Sequence, residues 1–374
     1  MKICLYTPSF LPRVGGMEVV LDRLARQFQA RSHQVLVLAK TPRGAFEPPS
    51  LPYEVVYYPR SRSNVWLLGP TRRSLLEAHR LRGFDIVHAH QAYPAGYVAV
   101  RAMAPLGVPV VITSHKGDII PGGRYRERWL PRRRMCRAMK DAAAVTGVSE
   151  ELQAEIDFLT GGAARSLTIP NGVDLPESPP AKAPPALAAL EGKTFMLTLG
   201  RIHEYKGLDV LLEALGSLRA KGEAIPNLVI AGDGKDRPAL ERQAARLGLG
   251  GGVWFVGMVQ GAEKDWLLHA CRFFLQPSRK EGMPLTVLEA MAHGKSVIGT
   301  AVSGTVELVR DGVNGLMVPP DNAAALAGAI LSLSRRASLA DLEERSLAAA
   351  RELSWSVIAD RYIELYESCL GGTA

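Results

Sequence analysis

The sequence predicts an α/β protein built from two doubly wound, Rossmann-like domains. Short runs rich in β-branched residues alternate along the chain with longer segments whose apolar residues recur at helical spacing. The short runs are almost continuously apolar, which is typical of parallel strands that are covered by helices on both faces. A chain of 374 residues is long enough for two such domains.

The alternation of strand and helix patterns occurs twice. The first series of strand-like runs comprises 2–8, 34–39, 53–58, 85–90, 109–115, 143–149 and 166–170. Five prolines between residues 176 and 186 then predict an extended connector, because proline at this density sustains neither a helix nor a central strand. The second series comprises 194–201, 227–234, 253–257, 273–278, 296–300 and 315–319. We therefore expect domains at 1–174 and 191–353, a hinge at 175–190, and a last amphipathic helix at 354–374 that crosses back to the first domain.

Composition excludes several classes of protein. The most apolar stretch, 95–113, contains Arg101 and two prolines and is too short for a clean membrane span. The first residues have no long apolar run and no small-residue cleavage site, so we expect a cytoplasmic protein. Four scattered cysteines without a C-x-x-C pair predict free thiols, with neither a disulfide framework nor a zinc site.

The net charge of +8 is unevenly distributed. Residues 1–175 contain 24 lysines and arginines against 14 acidic residues, whereas the remainder is slightly acidic. A basic half indicates an anionic partner, such as nucleic acid, a membrane surface or an acidic substrate. A solvated arginine-rich surface explains the same excess.

The segment 273–294 is the most informative for function. A strand-like run is followed by Glu281, and Pro284 is predicted to occupy the first helical position. Three backbone amides at the start of that helix are expected to be free, those of Leu285, Thr286 and Val287. Free amides and the helix dipole form an anion site, and Glu289, one turn later, suits the hydroxyls of a ribose. The alternative is that both glutamates are ordinary surface charges.

The stretch E-G-M-P-L-T-V-L-E at 281–289 resembles the E-x7-E motif of the retaining family-4 glycosyltransferases, which have the GT-B fold. The resemblance covers nearly the whole chain. Its other motifs are the Gly15-Gly16 loop with Glu18, D-I-V-H-A-H (85–90), the strand that ends in His115, I-P-N-G-V-D (169–174), G-R-I-H-E-Y-K-G (200–207), G-D-G (232–234), F-V-G (255–257) and D-G-V-N-G-L-M-V-P-P (311–320).

The resemblance implies a GT-B enzyme whose two domains face each other across a cleft, with the acceptor on the first and a nucleotide diphospho-sugar on the second. It implies four catalytic positions, Arg201, Lys206, Glu281 and His115. It implies donor contacts from Gly15, Gly16, Gly232, Val256, Gly282, Met283, Leu285, Thr286, Val287 and Glu289. The family reads His-Gly after the strand that ends in His115, whereas this chain reads His115-Lys116-Gly117-Asp118, which leaves the placement of Asp118 open. No metal ion and no other cofactor is expected, because two cations and a helix N-terminus can stabilise the leaving diphosphate.

Further candidates lie in the first domain. His88 and His90 share one face of a strand, where packing or acceptor contact by His90 is favoured over a metal pair. The segment 124–137 contains seven arginines, with Trp129 and Leu130 among them and Met135 and Met139 nearby, and it suits an anionic membrane or a phosphorylated lipid better than RNA. A solvated helix is the alternative. The acceptor or membrane candidates are His90, Asn171, Arg124, Trp129, Arg132 and Arg133.

Together these features predict a retaining transferase of hexosyl units, with UDP preferred over GDP in the donor. The expected acceptor is a glycan or lipid-linked hydroxyl in envelope polysaccharide or lipopolysaccharide synthesis, at the inner face of the membrane and without nucleic acid. Three alternatives stay open: a nucleotide-sugar epimerase on the same fold, a nicotinamide dehydrogenase, and a non-catalytic sugar- or lipid-binding module. The dehydrogenase is disfavoured because neither domain has a G-x-G-x-x-G after its first strand with an acidic residue about 20 positions later.

Overall fold

Two parallel β-sheets form the framework of the protein. The computed structural model describes residues 1–13, 15–59, 68–123, 125–177 and 180–371. The chain divides into unit 1, which combines Met1–Gly172 with Trp355–Ala374, and unit 2, which spans Val173–Ser354. The sheet of unit 1 has seven strands and that of unit 2 has six. The predicted α/β class with two Rossmann-like domains is confirmed.

Each predicted strand run contains a strand of the structure. The strands are β1 (Lys2–Thr7), β2 (Gln34–Lys40), β3 (Glu54–Tyr58), β4 (Ile86–His90), β5 (Val110–Ser114), β6 (Ala144–Gly147), β7 (Ser166–Thr168), β8 (Phe195–Leu199), β9 (Asn227–Ala231), β10 (Val253–Gly257), β11 (Phe274–Gln276), β12 (Val297–Thr300) and β13 (Gly315–Val318). The central strands are mainly apolar because helices cover both faces of a parallel sheet. All five residues of β4 and of β5 are buried, including the polar residues His88, His90, Thr113 and Ser114.

Helices connect these strands. They are α1 (Gly16–Ala30), α2 (Gly69–Arg82), α3 (Tyr97–Met103), α4 (Lys116–Ile119), α5 (Trp129–Asp141), α6 (Glu150–Thr160), α7 (Leu208–Ala220), α8 (Arg237–Arg246), α9 (Ala262–Ala270), α10 (Leu285–Ala292), α11 (Thr305–Leu308), α12 (Ala323–Arg335), α13 (Ala340–Glu352) and α14 (Trp355–Gly371). Short 3-10 turns form at Ala104–Leu106, Pro185–Leu190 and Glu204–Lys206, and a π turn forms at Ala92–Gly96.

The order of the strands indicates where ligands are expected to bind. Unit 1 runs β3-β2-β1-β4-β5-β6-β7, and unit 2 runs β10-β9-β8-β11-β12-β13. The order therefore reverses between β1 and β4 in unit 1 and between β8 and β11 in unit 2. Ligands of doubly wound sheets bind outside the carboxyl ends of the strands at such reversals. The loops after β1, β4, β8 and β11 are consequently the ones to examine.

Helix α1 shows how the sequence pattern becomes packing. Its apolar residues recur every three or four positions, and all five that the pattern places on one face are buried, namely Val20, Leu21, Leu24, Ala25 and Phe28. Burial of each large side chain contributes about 1.5–3 kcal/mol as an upper value. Truncation of the completely buried Phe28 to Ala should therefore cost about 3–5 kcal/mol.

The last helix belongs to unit 1. The face of α14 predicted from spacing is the buried one, with Trp355, Ile358, Tyr362, Leu365 and Tyr366. The Tyr366 ring packs on Phe28 of α1 with ring centroids 5.6 Å apart. Arg31 Nε donates to Asp360 Oδ1 at 2.6 Å. The chain thus returns from unit 2 to complete unit 1.

The proline-rich connector departs from the expected extended chain only at its end. The described residues 175–177 and 180–184 form neither helix nor strand. Pro185–Leu190 forms a 3-10 turn, and Leu187 and Leu190 are buried in unit 2. Proline is tolerated in the first turn of a helix because its missing N–H has no helical partner there. The two leucines then supply the burial that holds the turn in place.

Candidate active site

The polar residues predicted for the donor come together at the reversal point of unit 2. Lys206 follows β8 and Glu281 follows β11, and their side chains form an ion pair with Nζ and Oε1 2.7 Å apart. Both side chains are largely buried, with exposed fractions of 17% and 11%. A small depression beside the pair is lined by Thr198, Gly200, Arg201, Lys206, Gln276, Pro277 and Ser278. The Arg201 side chain is exposed.

Glu281 is an organised acceptor and not a solvated loop charge. Its Oε1 atom accepts from Lys206 Nζ, from Gln276 Nε2 at 2.6 Å and from Ser278 Oγ at 2.6 Å. Two of these donors come from the strand end that carries the glutamate, and the third comes from the loop after β8. The carboxylate therefore fixes the position of the Lys206 ammonium group at the end of the sheet.

Gly207 allows the Lys206 turn to approach β11. Its φ of +63° lies in the left-handed region, and it caps α7. A Cβ atom at this position would lie 2.0 Å from the carbonyl oxygen of Pro277. Only glycine meets both conditions without displacing the backbone. The K-G pair of the motif is thus explained by a cation followed by a close backbone approach.

Arg279 holds the same turn from the other side, and sequence reasoning missed it. Its guanidinium forms a two-point ion pair with Asp209, with Nη1–Oδ1 2.9 Å and Nη2–Oδ2 2.7 Å. Nη1 also donates to the carbonyl oxygen of Glu204, and the Arg279 N–H donates to the carbonyl oxygen of Tyr205 at 2.7 Å. The hydrogen bonds to Asp209, and after them the one to Asp321, raise the pKa of Arg279 above its usual range. The fork ties the turn to α7.

The loops after β8 and β9 pack backbone against backbone. A Cβ atom on Gly232, whose φ is +141°, would lie 1.9 Å from the carbonyl oxygen of Gly200. Gly232 N–H donates to the carbonyl oxygen of Gly257 at 2.6 Å, at the end of β10. Val256 is half-buried within that strand. Gly232 and the end of the Val256 strand therefore meet at the same edge as the Gly200-Arg201 turn. Binding of the base at this edge stays a prediction.

The start of α10 corrects two predictions. Pro284 is the cap residue with extended ψ of 108°, and the first helical residue is Leu285. The Val287 N–H is not free, because it donates to the carbonyl oxygen of Pro284 at 3.1 Å. Leu285 and Thr286 supply the first two N–H groups of the helix, which have no carbonyl one turn earlier within it. Of the three amides predicted to be free, Val287 is therefore excluded.

The loop before α10 is fixed by its own neighbours. A Cβ atom on Gly304, whose φ is +67°, would lie 1.7 Å from the carbonyl oxygen of Gly282. Met283 is buried, with 8% of its surface exposed. Close packing of Gly282 and Met283 fixes the backbone conformation between Glu281 and α10.

Glu289 has a partner that sequence reasoning also missed. Lys264, on α9, donates to Glu289 Oε1 at 2.8 Å. Both side chains are partly exposed, at 29% and 25%. The pair leaves Glu289 half-buried and one turn inside α10, which is the position predicted for contact with a ribose.

In unit 1, the predicted glycine loop lies between β1 and α1. Gly15 is the cap residue of α1 and Gly16 its first residue. A Cβ atom on Gly15 would lie 2.6 Å from Glu18 Oε2. The other oxygen of Glu18 accepts from Ser9 Oγ at 2.6 Å, so the carboxylate folds back over the loop. The structure therefore assigns Gly15 a local reason, the space that the buried Glu18 needs.

Three histidines, two on β4 and one directly after β5, form a stacked group that we call the histidine row: His88, His90 and His115. The ring centroids of His88 and His90 are 4.3 Å apart, and those of His90 and His115 are 5.5 Å apart. His115 Nε2 lies 3.2 Å from His90 Nδ1. His88 Nδ1 lies 2.6 Å from the hydroxyl of Tyr366 on α14. A row built this way depends on the returning C-terminal helix.

Burial keeps the histidine row neutral. Loss of hydration lowers the pKa of His88 to about 3 and that of His115 to about 4, and it lowers the pKa of His90 well below its usual value. His90 is completely buried. The predicted acceptor contact is therefore not a surface contact, because His90 lies behind His115. The side chains of Lys116 and Asp118 are outside the description.

The arginine-rich segment is only in part a cationic surface. On α5, Trp129 is 72% exposed and the Arg133 guanidinium lies 5.7 Å from the centroid of its ring. Arg132 is exposed as well. Met135 and Met139 are buried core residues and not part of an apolar outer face. Arg124 lies outside the described residues, and Asn171 is buried with 7% of its surface exposed.

The described ranges contain neither a metal-binding cluster nor a membrane-spanning helix. No group of three or more histidine, cysteine, aspartate or glutamate side chains there could hold a metal ion. Among the helices in those ranges, none combines the length and the apolarity that crossing a bilayer requires.

Comparison with known proteins gives the family. The model described as "Glycosyltransferase Family 4" matches residues 14–177, and that described as "Glycosyl transferases group 1" matches 193–336. The D-inositol 3-phosphate glycosyltransferase of Nocardia farcinica is 30% identical over 311 residues, 79% of this chain and 69% of that protein. The GDP-mannose:cellobiosyl-diphosphopolyprenol alpha-mannosyltransferase of Xanthomonas campestris is 27% identical over 99% of this chain and 98% of that protein.

A solved structure gives the fold. Anabaena Alr3699/HepE in complex with UDP superposes with a TM-score of 0.79 at 22% identity, covering 98% of this chain and 100% of that one. The two parallel sheets of this chain therefore have the GT-B fold. The chain belongs to the family-4 glycosyltransferases. The predicted family is confirmed, and the dehydrogenase interpretation is wrong.

Proposed function

We propose that this glycosyltransferase moves a hexosyl unit from a nucleotide diphospho-sugar to a hydroxyl of a glycan or lipid-linked acceptor. The observation that carries the proposal is the ion pair of Lys206 and Glu281 beside Arg201, at the reversal point of the unit 2 sheet. Two cations beside the carboxyl end of β11 suit a diphosphate, and a neighbouring carboxylate suits the hydroxyls of the attached sugar.

In this proposal the chain stabilises the leaving group. Charge builds on the diphosphate as the glycosidic bond breaks, and Lys206, Arg201 and the first amides of α10 are placed to offset it. The acceptor attacks the same face that the diphosphate leaves, and the departing phosphate takes its proton, so the anomeric configuration is retained. No side chain acts as a dedicated base, and no metal ion is required. Glu281 fixes the Lys206 ammonium group before substrate arrives.

The deciding experiment uses Lys206→Ala, with Lys221→Ala as its control because Lys221 is exposed on the same unit. Loss of one leaving-group cation should lower turnover about 100- to 1,000-fold without unfolding the protein. The control should keep the wild-type rate. A wild-type rate in Lys206→Ala would overturn the assignment.

Turnover that survives dialysis against EDTA would support the metal-free mechanism. The anomeric configuration of the first product, determined by NMR, tests retention.

Glu289 is proposed to bind the ribose diol. Glu289→Gln should weaken UDP binding about tenfold but weaken 2′-deoxy-UDP binding little, because hydrogen bonds to a charged acceptor contribute about 1.5–3 kcal/mol. Glu213→Gln, an exposed change on α7, is the matched control. Equal losses for both nucleotides would show that Glu289 acts on something other than the ribose.

The nucleotide is proposed to be UDP first and GDP second. The names of relatives support both, since HepE was solved with UDP and the Xanthomonas enzyme is named for GDP-mannose. A thermal-shift screen over nucleoside diphosphates and their sugars decides, because a ligand at 100 times its Kd stabilises the folded state by about 2.7 kcal/mol. Binding without turnover would favour the non-catalytic module, and release of free diphosphate without any acceptor would favour the epimerase.

The acceptor is proposed to belong to envelope polysaccharide or lipopolysaccharide synthesis. The Xanthomonas relative is named for a diphosphopolyprenol acceptor. The exposed Trp129 with Arg132 and Arg133 would hold the enzyme on an anionic membrane surface. Flotation with anionic vesicles at low and high salt tests this, and absence of binding at low salt would contradict it.

A further inference from the structure

The loop between β11 and α10 holds Lys206 at both ends of its side chain. Glu281, on this loop, accepts a hydrogen bond from the ammonium group at the tip. Arg279, two residues earlier, binds the 3-10 turn Glu204–Lys206 at the base. We propose that Arg279 is a positioning residue of the donor site, which places Lys206 for contact with a diphosphate without touching the diphosphate itself. The proposal rests on the proposed function, because it concerns the same site.

Arg279 binds this turn through both its backbone and its side chain. The Arg279 N–H donates to the carbonyl oxygen of Tyr205 at 2.7 Å, and the guanidinium Nη1 donates to the carbonyl oxygen of Glu204. Glu204 and Tyr205 are the two residues directly before Lys206. Two bound carbonyl groups therefore fix the backbone conformation from which the lysine side chain extends.

Two carboxylates fix the guanidinium group in turn. Asp209, on α7, accepts from Nη1 and Nη2 at 2.9 and 2.7 Å, and Asp321, between β13 and α12, accepts from Nε at 2.5 Å. Two-point contacts between a guanidinium and a carboxylate add geometric specificity to their strength. Asp321 has a φ of +55° although it is not a glycine. A left-handed backbone at a residue with a side chain costs free energy, and the contact with Arg279 offsets part of that cost.

The same contacts leave Arg279 unsuited to bind a phosphate directly. A guanidinium group has five N–H donors, and here two carboxylates and one carbonyl oxygen already accept from four of them. Two carboxylates around one guanidinium leave a net negative charge, which disfavours an anion at this position. Arg201 differs, because it is exposed and has no ion-pair partner within the described ranges. Arg201 is thus available to a ligand, whereas Arg279 acts through Lys206.

Other contacts should keep the turn folded when Arg279 is replaced. The Glu204 N–H donates to Asp236 Oδ2 at 2.8 Å, and Gly207 packs closely against the backbone of the β11 loop. These contacts hold the two ends of the turn but not its carbonyl groups. Replacement of Arg279 should therefore misplace Lys206 in a protein that still folds, and small misplacements at a site lower its performance strongly.

The test is a double-mutant cycle on the affinity for a nucleoside diphosphate, measured by calorimetry with UDP and with GDP. Uridine and guanosine are the control ligands, because they lack the diphosphate. Lys206→Ala should weaken binding of the diphosphate at least about tenfold. Arg279→Met should weaken it about three- to tenfold in the wild type but less than about twofold in the Lys206→Ala background. Binding of the two nucleosides should stay unchanged in all variants.

Two further variants separate position from charge and from general effects on the fold. Arg279→Lys keeps the positive charge but cannot form the two-point contact with Asp209, so it should weaken binding as Arg279→Met does. Arg336→Met is the matched control, since Arg336 forms an exposed ion pair with Asp341 at 3.0 Å in the same unit. It should bind both diphosphates with wild-type affinity. Far-UV circular dichroism checks that every variant is folded.

Equal losses from Arg279→Met in the wild type and in the Lys206→Ala background would overturn the proposal, because Arg279 would then act independently of Lys206. Wild-type affinity in Arg279→Lys would also overturn it, since charge alone would then suffice. If Lys206→Ala weakens binding and Arg279→Met does not, the positioning role is refuted and the proposed function stands. If the wild type binds neither diphosphate, or Lys206→Ala binds as the wild type does, both proposals are contradicted.

Discussion

The ion pair between Lys206 and Glu281 is predicted to stabilise unit 2 as well as to serve the reaction. The perturbation is Lys206→Met, which keeps most of the apolar stem and removes the ammonium group. In the wild type that group lies 2.7 Å from Glu281 Oε1. After the substitution the carboxylate keeps only the donors of Gln276 and Ser278. Glu281→Gln removes the charge on the other side, and the double variant removes both.

The magnitude follows from burial. Exposed ion pairs contribute about 0.2–1 kcal/mol, whereas breaking a buried pair costs about 3–5 kcal/mol. Exposed fractions of 17% and 11% place this pair nearer the buried limit. With a discount for the solvent that still reaches both groups, Lys206→Met should lower the free energy of unfolding of unit 2 by about 2–3 kcal/mol. The double variant should lose less than the sum of the single losses, with a coupling of about 1–2 kcal/mol.

The assay must report on unit 2 alone, because a chain of two units need not unfold in one transition. Urea unfolding followed by pulsed hydrogen exchange and mass spectrometry gives the stability of peptides from α7 and β11. An exposed pair of changes in the same unit, Lys221→Met with Glu213→Gln, should show additive effects. A coupling below about 0.5 kcal/mol for Lys206 and Glu281 would refute the reasoning, since the two groups would then act independently.

Two further predictions concern the backbone and the histidine row. Gly207→Ala should destabilise unit 2 by about 2–4 kcal/mol, because a left-handed φ and a Cβ atom 2.0 Å from the Pro277 carbonyl oxygen both oppose it. Gly192→Ala, with a φ of +73° but open space, should cost only about 1–2 kcal/mol in the same urea assay, and equal losses would contradict the steric argument. Because the folded histidine row is neutral while unfolded histidines protonate below about pH 6.5, the stability of unit 1 should fall as pH drops from 7 to 5, by up to about 2 kcal/mol per histidine. A urea midpoint unchanged over that range would contradict this.

Much of the fold follows from the sequence alone. Within the described ranges each strand lies in a predicted run, except that β2 extends one residue further to Lys40, because a strand buried on both faces is mainly apolar. The buried face of α14 follows from spacing for a similar reason. The E-x7-E segment and the glycines of the other motifs indicate the site. Where two backbones approach as closely as those of Gly207 and Pro277, only glycine fits, so the sequence shows glycine at that position.

Where the sequence failed, the missing information was a partner distant along the chain. Spacing placed Met135 on a helix but not on its buried side. Spacing also predicted a free Val287 amide, although this N–H donates to the carbonyl oxygen of the cap residue Pro284. Neither Arg279 nor Lys264 carries a local signal, because each acts on a residue from another element.

The sequence by itself determined the class of the protein, its two parallel sheets and the segments that hold its charged groups. Only the tertiary structure decided which groups meet. Lys206 and Glu281 are 75 positions apart, and His88 and Tyr366 are 278 apart. Periodicity records which face of an element is buried, but not which element covers it. Strand order alone brings the ends of β8 and β11 together, and with them the ion pair on which the proposed chemistry depends.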